Sequence, residues 1–129
     1  MATLLTNAGR AILSGLSSGI TSLLPSHLAV GTGAGTTAAT DTTLFTEATT
    51  GTWSGYARAT STLSQATTST TNDTWKAIGT LTAPAAEAVT NAGFFDALIG
   101  GNLFLKGDFA VINLALNDSI QVTGTNEFT

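Results

Sequence analysis

The sequence predicts a mainly β fold, an antiparallel β-sandwich or a partly open barrel of the jelly-roll kind, with one helix near the N-terminus. Threonine accounts for 26 of the 129 residues, and together with 14 glycines it favours strands and turns over helices. Apolar and polar residues alternate over residues 53–63 and 75–82, which is the period of a strand with one buried face. The predicted strands do not alternate with helices, so the sequence does not predict a parallel sheet.

Residues 4–20 form the predicted helix. Apolar residues recur there at helical spacing, and the face that they make consists of Leu5, Ala8, Ile12 and Leu16, flanked by Leu13 and Ile20. Thr3 or Thr6 supplies a hydroxyl that can cap the first turn. Three glycines weaken the helix, each by up to about 1 kcal/mol relative to alanine. We therefore expect the helix to depend on packing against the sheet or against a neighbouring molecule.

The predicted organisation is a single domain over residues 1–129, with a helical segment at 1–24 and a β-rich body at 25–129. A chain of this length is large enough for one hydrophobic core. Pro25 ends the helical segment. Besides the two alternating stretches, the predicted strands are residues 26–31, 89–99, 103–105, 109–116 and 119–125.

A hairpin is the predicted centre of the body. Its strands, 89–99 and 103–105, are joined by Gly100-Gly101-Asn102, residue types that adopt the positive φ angles of a tight turn. Lys106-Gly107-Asp108 is expected to close the second strand. Residues 36–52 are expected to form a polar loop that one apolar pair, Leu44-Phe45, fixes to the body.

Charge and composition exclude several classes of function. Charged residues make up 9% of the chain and the net charge is -4, so the four cations cannot build the basic stripe of direct nucleic-acid binding. The chain has no cysteine, which excludes disulfides and thiolate chemistry. No apolar run approaches about 18 residues and the N-terminus lacks a signal-peptide pattern. We expect neither membrane insertion nor export.

The sequence assigns no catalytic, cofactor-binding or metal-binding residue, and we expect a protein that is not an enzyme. Most carboxylates stand beside Asn, Gly or Thr in predicted turns, where they accept hydrogen bonds from nearby backbone. A glycosidase needs two carboxylates that face each other across a sugar, and the sequence leaves such a pair open. His27 is the only histidine, which argues against a zinc site and against a Ser-His-Asp triad.

Two further features have a functional and a structural interpretation. Trp53, Tyr56 and Trp75 can form a sugar-stacking platform, but they also suit a sandwich core or a subunit interface, which we favour. The glycine-rich residues 31–35 follow a predicted strand, as a dinucleotide-binding fingerprint does. They lack the sixth-position glycine and the following helix, so we expect a flexible turn.

Three blocks of the sequence resemble a group of small bacteriophage virion proteins. The blocks are GTGAGTTAATDTTLFTEA at residues 31–48, TNDTWKAIGTLTA at 71–83 and AVTNAGFFDALIGGNLFLKGDF at 88–109, preceded by LTNAGRAIL at 5–13. Members of this group are usually described as tail-fibre-like, minor structural or capsid-decorating proteins. The resemblance covers nearly the whole chain.

The resemblance implies a capsid cement or decoration protein that binds the outside of the major capsid protein shell and stabilises it by bridging capsomers. The alternative is a tail, collar or fibre-base component whose partners are tail proteins. The charge-poor surface favours a homo-oligomer, and a trimer is one arrangement that we consider. The N-terminal helix or the 36–52 loop is expected to reach a neighbour. The expected location is the capsid surface of the virion, after assembly in the host cytoplasm.

Overall fold

The computed structural model describes residues 2–129, which form eight strands and one helix. The helix is α1 (Asn7–Ser17), and the strands are β1 (Ala2–Leu5), β2 (His27–Gly31), β3 (Ala59–Thr60), β4 (Thr62–Ala66), β5 (Thr74–Thr82), β6 (Glu87–Phe95), β7 (Leu103–Leu114) and β8 (Ser119–Glu127). A five-stranded sheet has the order β1-β7-β6-β2-β3 and a three-stranded sheet the order β4-β5-β8, with antiparallel neighbours throughout. Within residues 2–129 no barrel closes. The mainly β sandwich prediction is confirmed.

The hydrophobic core lies between the two sheets. Trp75 of β5 packs edge-on against Phe94 of β6 and tilts over Phe104 of β7, with ring centroids 5.8 and 4.7 Å apart. The sheets approach closely at Gly79, where a Cβ atom would lie only 2.8 Å from the Cβ of Leu28. Glycine on the inner face of β5 therefore sets the distance between the sheets. The strands predicted over 26–31, 75–82 and 119–125 are present as β2, β5 and β8.

The strand predicted over residues 53–63 is wrong for most of its length. Trp53 and Tyr56 lie in a turn, and Gly55 has φ +86°. The two rings stack at 5.9 Å and both are buried, whereas residues three apart on a strand point to opposite faces. Regular pairing begins only at β3, which belongs to the five-stranded sheet, and continues after Ser61 as β4 of the other sheet. One extended stretch thus contributes to both sheets.

The N-terminal helix is shorter than predicted and follows a strand. The helix spans residues 7–17, and Thr6 caps it by accepting a hydrogen bond from the Gly9 N–H at 2.9 Å. Residues 2–5 pair with β7. The expectation of a helical segment over residues 1–24 is therefore wrong for these residues. Ile12 is buried against the core, but Ile20 lies beyond the helix and is 85% exposed, so its predicted place at the flank of the apolar face is wrong.

The central hairpin is confirmed, with different bounds. Strand β6 ends at Phe95 rather than at residue 99, and residues 96–102 form the connection, in which Gly100 and Gly101 have positive φ angles. Strand β7 runs unbroken through Lys106-Gly107-Asp108, where the sequence predicted an end. The lysine is buried and paired inside the fold, so its charge does not mark a turn.

Candidate functional site

Seven of the eight carboxylates accept hydrogen bonds from backbone N–H groups or cations, and the eighth, Glu127, accepts one from the hydroxyl of Ser69. Asp73 accepts hydrogen bonds from the N–H groups of Thr68, Ser69 and Thr70, at 2.9, 2.8 and 2.6 Å. Asp118 accepts one from Ala115 at 2.8 Å. Turn-capping was the predicted role. Over residues 2–129 no group of three or more His, Asp and Glu side chains is arranged to hold a metal ion.

His27 opens β2 and has no triad around it. Its Nδ1 lies 3.5 Å from the hydroxyl of Ser26, the neighbouring residue. In the part of the chain that the structure describes, no carboxylate pairs with the imidazole. The elements of nucleophilic catalysis are therefore not brought together at His27.

The three aromatic residues for which a sugar platform was the less favoured alternative belong to the interior. Trp53 is 1% exposed, and its Nε1 donates a hydrogen bond to the Ala85 carbonyl at 2.8 Å. Tyr56 is buried beside it, and the half-buried Trp75 packs between the sheets. The core interpretation of these residues is confirmed. A stacked sugar needs an exposed ring face, which the two buried rings do not present.

The glycine-rich residues 31–35 pack closely against the body of the protein. Gly31 ends β2, and no helix begins after it within this stretch, as expected. A Cβ atom at Gly35 would lie 2.7 Å from the Phe45 ring, and the N–H of Gly33 donates to the Phe45 carbonyl at 2.9 Å. Glycine is required here by the close approach of Phe45, rather than by the flexible turn that was predicted.

The loop at residues 36–52 is held against the five-stranded sheet by buried polar groups. The ammonium of Lys106 donates to Asp41 at 2.8 Å and to the Thr43 carbonyl at 2.9 Å. Asn91, which is fully buried in β6, exchanges hydrogen bonds with the N–H and carbonyl of Phe45, both at 3.0 Å. Leu44, within the loop, is buried in a cluster with Ala29, Phe95 and Leu103. The Leu44-Phe45 pair fixes the loop to the body as predicted.

Arg58 joins the loop at residues 36–52 to the 96–102 connection. Its guanidinium makes a bidentate pair with Glu47, at 2.7 and 2.9 Å. The same group donates to the carbonyls of Ala97 and Gly100, at 2.9 and 2.7 Å, and lies 3.7 Å from the centre of the Phe95 ring. Planar bidentate pairing is specific to arginine and fixes both segments in one geometry. Sequence analysis missed this junction, because its partners are distant in the chain.

Exposed apolar side chains occur in the two segments that leave the five-stranded sheet at the end next to this junction. His27 pairs with Phe95, so the segments 18–26 and 96–102 leave the five-stranded sheet at the same end. The exposed residues there, which we call the apolar end, are Ile20, Leu23, Leu24, Leu98 and Ile99. Soluble proteins rarely expose grouped large apolar side chains, and such groups mark interaction sites.

A second apolar feature is a groove of about 350 Å³ where the two sheets separate, between β7 and β8. Its walls include Phe109 and Ile112 from β7 and Ile120 and Val122 from β8. The groove and the apolar end share no lining residue, so they are separate features of the surface.

Comparison with models of known protein families and with curated proteins finds no match to this chain. Among residues 2–129 no helix has the length and apolar character needed to cross a membrane.

Proposed function

We propose that this chain is a structural protein of a bacteriophage particle that decorates the outside of the capsid. It binds the shell of major capsid protein and bridges neighbouring capsomers, so that more contacts must break before the shell opens. A protein that binds only the assembled shell stabilises it by mass action. The resemblance of residues 31–48, 71–83 and 88–109 to small phage virion proteins supports the placement on a virus particle.

The observation that carries the proposal is the exposed apolar segment between α1 and β2. Ile20, Leu23 and Leu24 are all exposed there. The segment is nevertheless tied to the fold, because the N–H of Ile20 donates to the Gly15 carbonyl at 2.9 Å and Pro25 is buried. A fixed apolar surface loses little conformational entropy when it binds, which suits a permanent contact.

The charge distribution supports a contact made by apolar and hydroxyl groups. Two of the four cations, Arg58 and Lys106, are paired inside the chain. Binding should therefore change little between low and high salt, whereas a contact built on ion pairs weakens as the Debye length shortens. This property suits a decoration protein that must stay on a particle in varied media.

The first test is the copy number and position of the chain in purified particles, by quantitative gel densitometry and electron microscopy. Many copies spread over the head are expected. A few copies at the tail would replace this proposal with a tail, collar or fibre-base role, and absence from particles would overturn both.

The contact surface is tested with the double variant Ile20→Ser and Leu23→Ser on particles that lack the chain. We expect at least a tenfold loss of binding, with an unchanged circular dichroism spectrum because both side chains are exposed. The matched control is Leu116→Ser, an exposed leucine beyond the opposite end of β7. Equal binding of the double variant and the parent would rule out this segment as the contact. Deletion of residues 2–20 is unsuitable, because it removes β1 and the Thr6 cap.

A further inference from the structure

The two sheets of the sandwich differ in width, and the wider sheet extends past one edge of the narrower one. Five strands pack against three, and β8 is the last described strand of the three-stranded sheet on this side. Gly124 of β8 lies against β6 and β7, since a Cβ atom there would be 2.5 Å from the Phe94 ring and 3.0 Å from the Leu105 side chain. The five-stranded sheet continues beyond β7 to β1. Its inner face therefore extends beyond the strand that covers it.

The groove lies where a fourth strand of the three-stranded sheet would run. One side of the groove is lined by five consecutive residues of β8, 120–124, and Thr3 of β1 also lines it. Consecutive strand residues point to opposite faces, so a concavity that all of them line follows the edge of the strand. Two small residues that pair with each other, Ala92 of β6 and Gly107 of β7, also line it. They leave room for the side chains of an added strand.

The edge of β8 determines what kind of group can occupy this place. One edge of β8 pairs with β5 from Ser119 to Glu127, and in the described part of the chain no strand pairs with the other edge. A free edge presents a row of N–H and C=O groups, and an extended chain satisfies such a row by strand addition. No lysine, arginine or proline of β8 blocks the edge.

Charge and symmetry narrow the choice of occupant. The charged residue that lines the groove is Lys106, and its ammonium is bound to Asp41. The β8 edge of a second copy does not fit, because a two-fold axis that relates two antiparallel edge strands stands perpendicular to their sheet. Both five-stranded sheets would then lie on the same side, and their extensions past β8 would overlap. A single extended segment fits, and an intact second sandwich does not.

We propose that an extended segment of a partner polypeptide adds to β8 as the fourth strand of the three-stranded sheet. Its apolar side chains, at alternate positions, enter the groove, and the polar ones between them face solvent. This continues the pattern of β8, in which Ile120 and Gly124 are buried and Gln121 and Thr123 are exposed. Pairing along residues 120–124 covers roughly 17 Å of strand. The site is separate from the exposed segment between α1 and β2, and it does not depend on the capsid proposal.

The test titrates the full chain with short capped peptides of about seven residues, in which Thr alternates with Val, Ile, Leu or Phe. Isothermal calorimetry measures binding, and hydrogen exchange locates it. At least one peptide is expected to bind and to slow exchange at residues 120–124 by roughly tenfold or more. A peptide of the same composition with its apolar residues in succession should not bind. Failure of the whole set to bind would overturn the proposal.

Two N-methylated versions of the binding peptide distinguish strand addition from the filling of an apolar groove. The N–H groups of successive residues point to opposite edges of a strand, so methylation of one alternate set removes the donors to β8. Methylation of the other set removes only donors to solvent. One version is expected to lose binding and the other to keep it. Loss in both versions, or in neither, would contradict pairing with the edge of β8.

Ile112→Asp places a charge on the groove wall and should weaken peptide binding by roughly tenfold or more. The matched control is Val111→Asp, because Val111 is the exposed neighbour in β7 and does not line the groove. If Ile112→Asp does not fold, Ile112→Ser serves in its place. Equal binding by the parent and the Ile112 variant would rule out the groove. A parent that dimerises without peptide and protects β8 from exchange would also overturn the proposal, because a second copy would then supply the strand.

Discussion

The ammonium of Lys106 lies 2.8 Å from the carboxylate of Asp41, and the two side chains differ sharply in exposure: that of the lysine is fully buried and that of the aspartate is 21% exposed. The ammonium also lies 3.3 Å from the centre of the Phe45 ring. The pair joins the loop at residues 36–52 to strand β7. Because only one partner reaches solvent, the two should respond differently to substitution.

We expect Asp41→Asn to lower the free energy of unfolding by about 3 kcal/mol, because it leaves a buried ammonium with neutral acceptors only. Lys106→Met should cost less, since the methionine fills the same volume and the aspartate stays partly solvated. Urea unfolding measures both. Glu87→Gln is the control, because the amide keeps the acceptor that binds the Ala88 N–H. A larger loss for Lys106→Met would contradict the assigned burial.

Acid should destabilise the fold. The hydrogen bond from Lys106 and then that from the Ala38 N–H hold the pKa of Asp41 below its usual value, and the N–H groups of Thr70 and Thr68 hold the pKa of Asp73 well below it. The unfolded chain therefore binds protons first, so the stabilisation is complete above the unfolded pKa of about 3.9 and is lost as the pH falls below it. Asp73→Asn should be less stable than the parent at neutral pH and should lose less on acidification. An equal acid response in both proteins would contradict the role of Asp73.

Tyr56 offers a separate test at alkaline pH, because it is the only tyrosine in the chain. Burial, and then the negative charge of Glu47, raises the pKa of Tyr56 to about 12. The fold favours the neutral phenol, so stability is expected to fall as the pH rises above the unfolded value of about 10. Ultraviolet titration should give a midpoint near 12 in the folded protein and near 10 in denaturant. A folded midpoint near 10 would show that the ring is exposed.

Arg58→Lys should loosen the 96–102 connection without unfolding the protein. Lysine cannot reproduce the bidentate pair with Glu47 together with the bonds to the Ala97 and Gly100 carbonyls. Hydrogen exchange at residues 97–101 is expected to quicken at least tenfold while exchange in β5 stays unchanged. Arg10→Lys, an exposed arginine that binds Asn7, is the control. Unchanged exchange at residues 97–101 would mean that Arg58 does not hold the connection.

The substitution Gly9→Ala distinguishes the effect of helix propensity on stability from the effect of packing. Propensity alone predicts that Gly9→Ala stabilises α1 by about 1 kcal/mol. In the structure a Cβ atom at Gly9 would overlap the carbonyl oxygen of Phe104, so we expect Gly9→Ala to lower the melting temperature. Ser14→Ala, on the exposed side of the same helix, should raise it slightly or leave it unchanged. A stabilised Gly9→Ala variant would show that α1 moves away from β7.

Sequence reasoning succeeded where structure follows from short-range pattern. The alternation over residues 75–82 predicted β5 with its buried face, and the apolar run after Pro25 predicted β2. Thr6, one of the two threonines predicted as the cap, caps the helix, because a hydroxyl beside the first helical turn is a local signal; the other, Thr3, lies in β1.

It failed where the partner is distant in the chain. Lys106-Gly107-Asp108 resembles a turn until the contact with Asp41 is known, and residues 53–58 resemble a strand until the Ala85 carbonyl is seen to hold Trp53 in a turn. The exposed apolar segment after α1 was missed for a related reason. The spacing of Ile20 matches that of the predicted helix, but the helix ends at Ser17 and the Ile20 side chain lies in solvent. Periodicity predicts which residues share a face, but tertiary contacts decide where that face ends.

The pairing of β1 with β7 has a consequence for the order of events during synthesis. Ala2 pairs with Asp108 and Leu5 with Leu105, so a strand that leaves the ribosome early waits for a partner made about a hundred residues later. Closing so long a loop has an entropic cost that local hairpins avoid, and folds rich in such contacts assemble slowly. The nascent chain can complete β4–β5 locally, but the five-stranded sheet stays unfinished until β7 emerges. The first strand thus makes completion of the five-stranded sheet wait for the synthesis of β7.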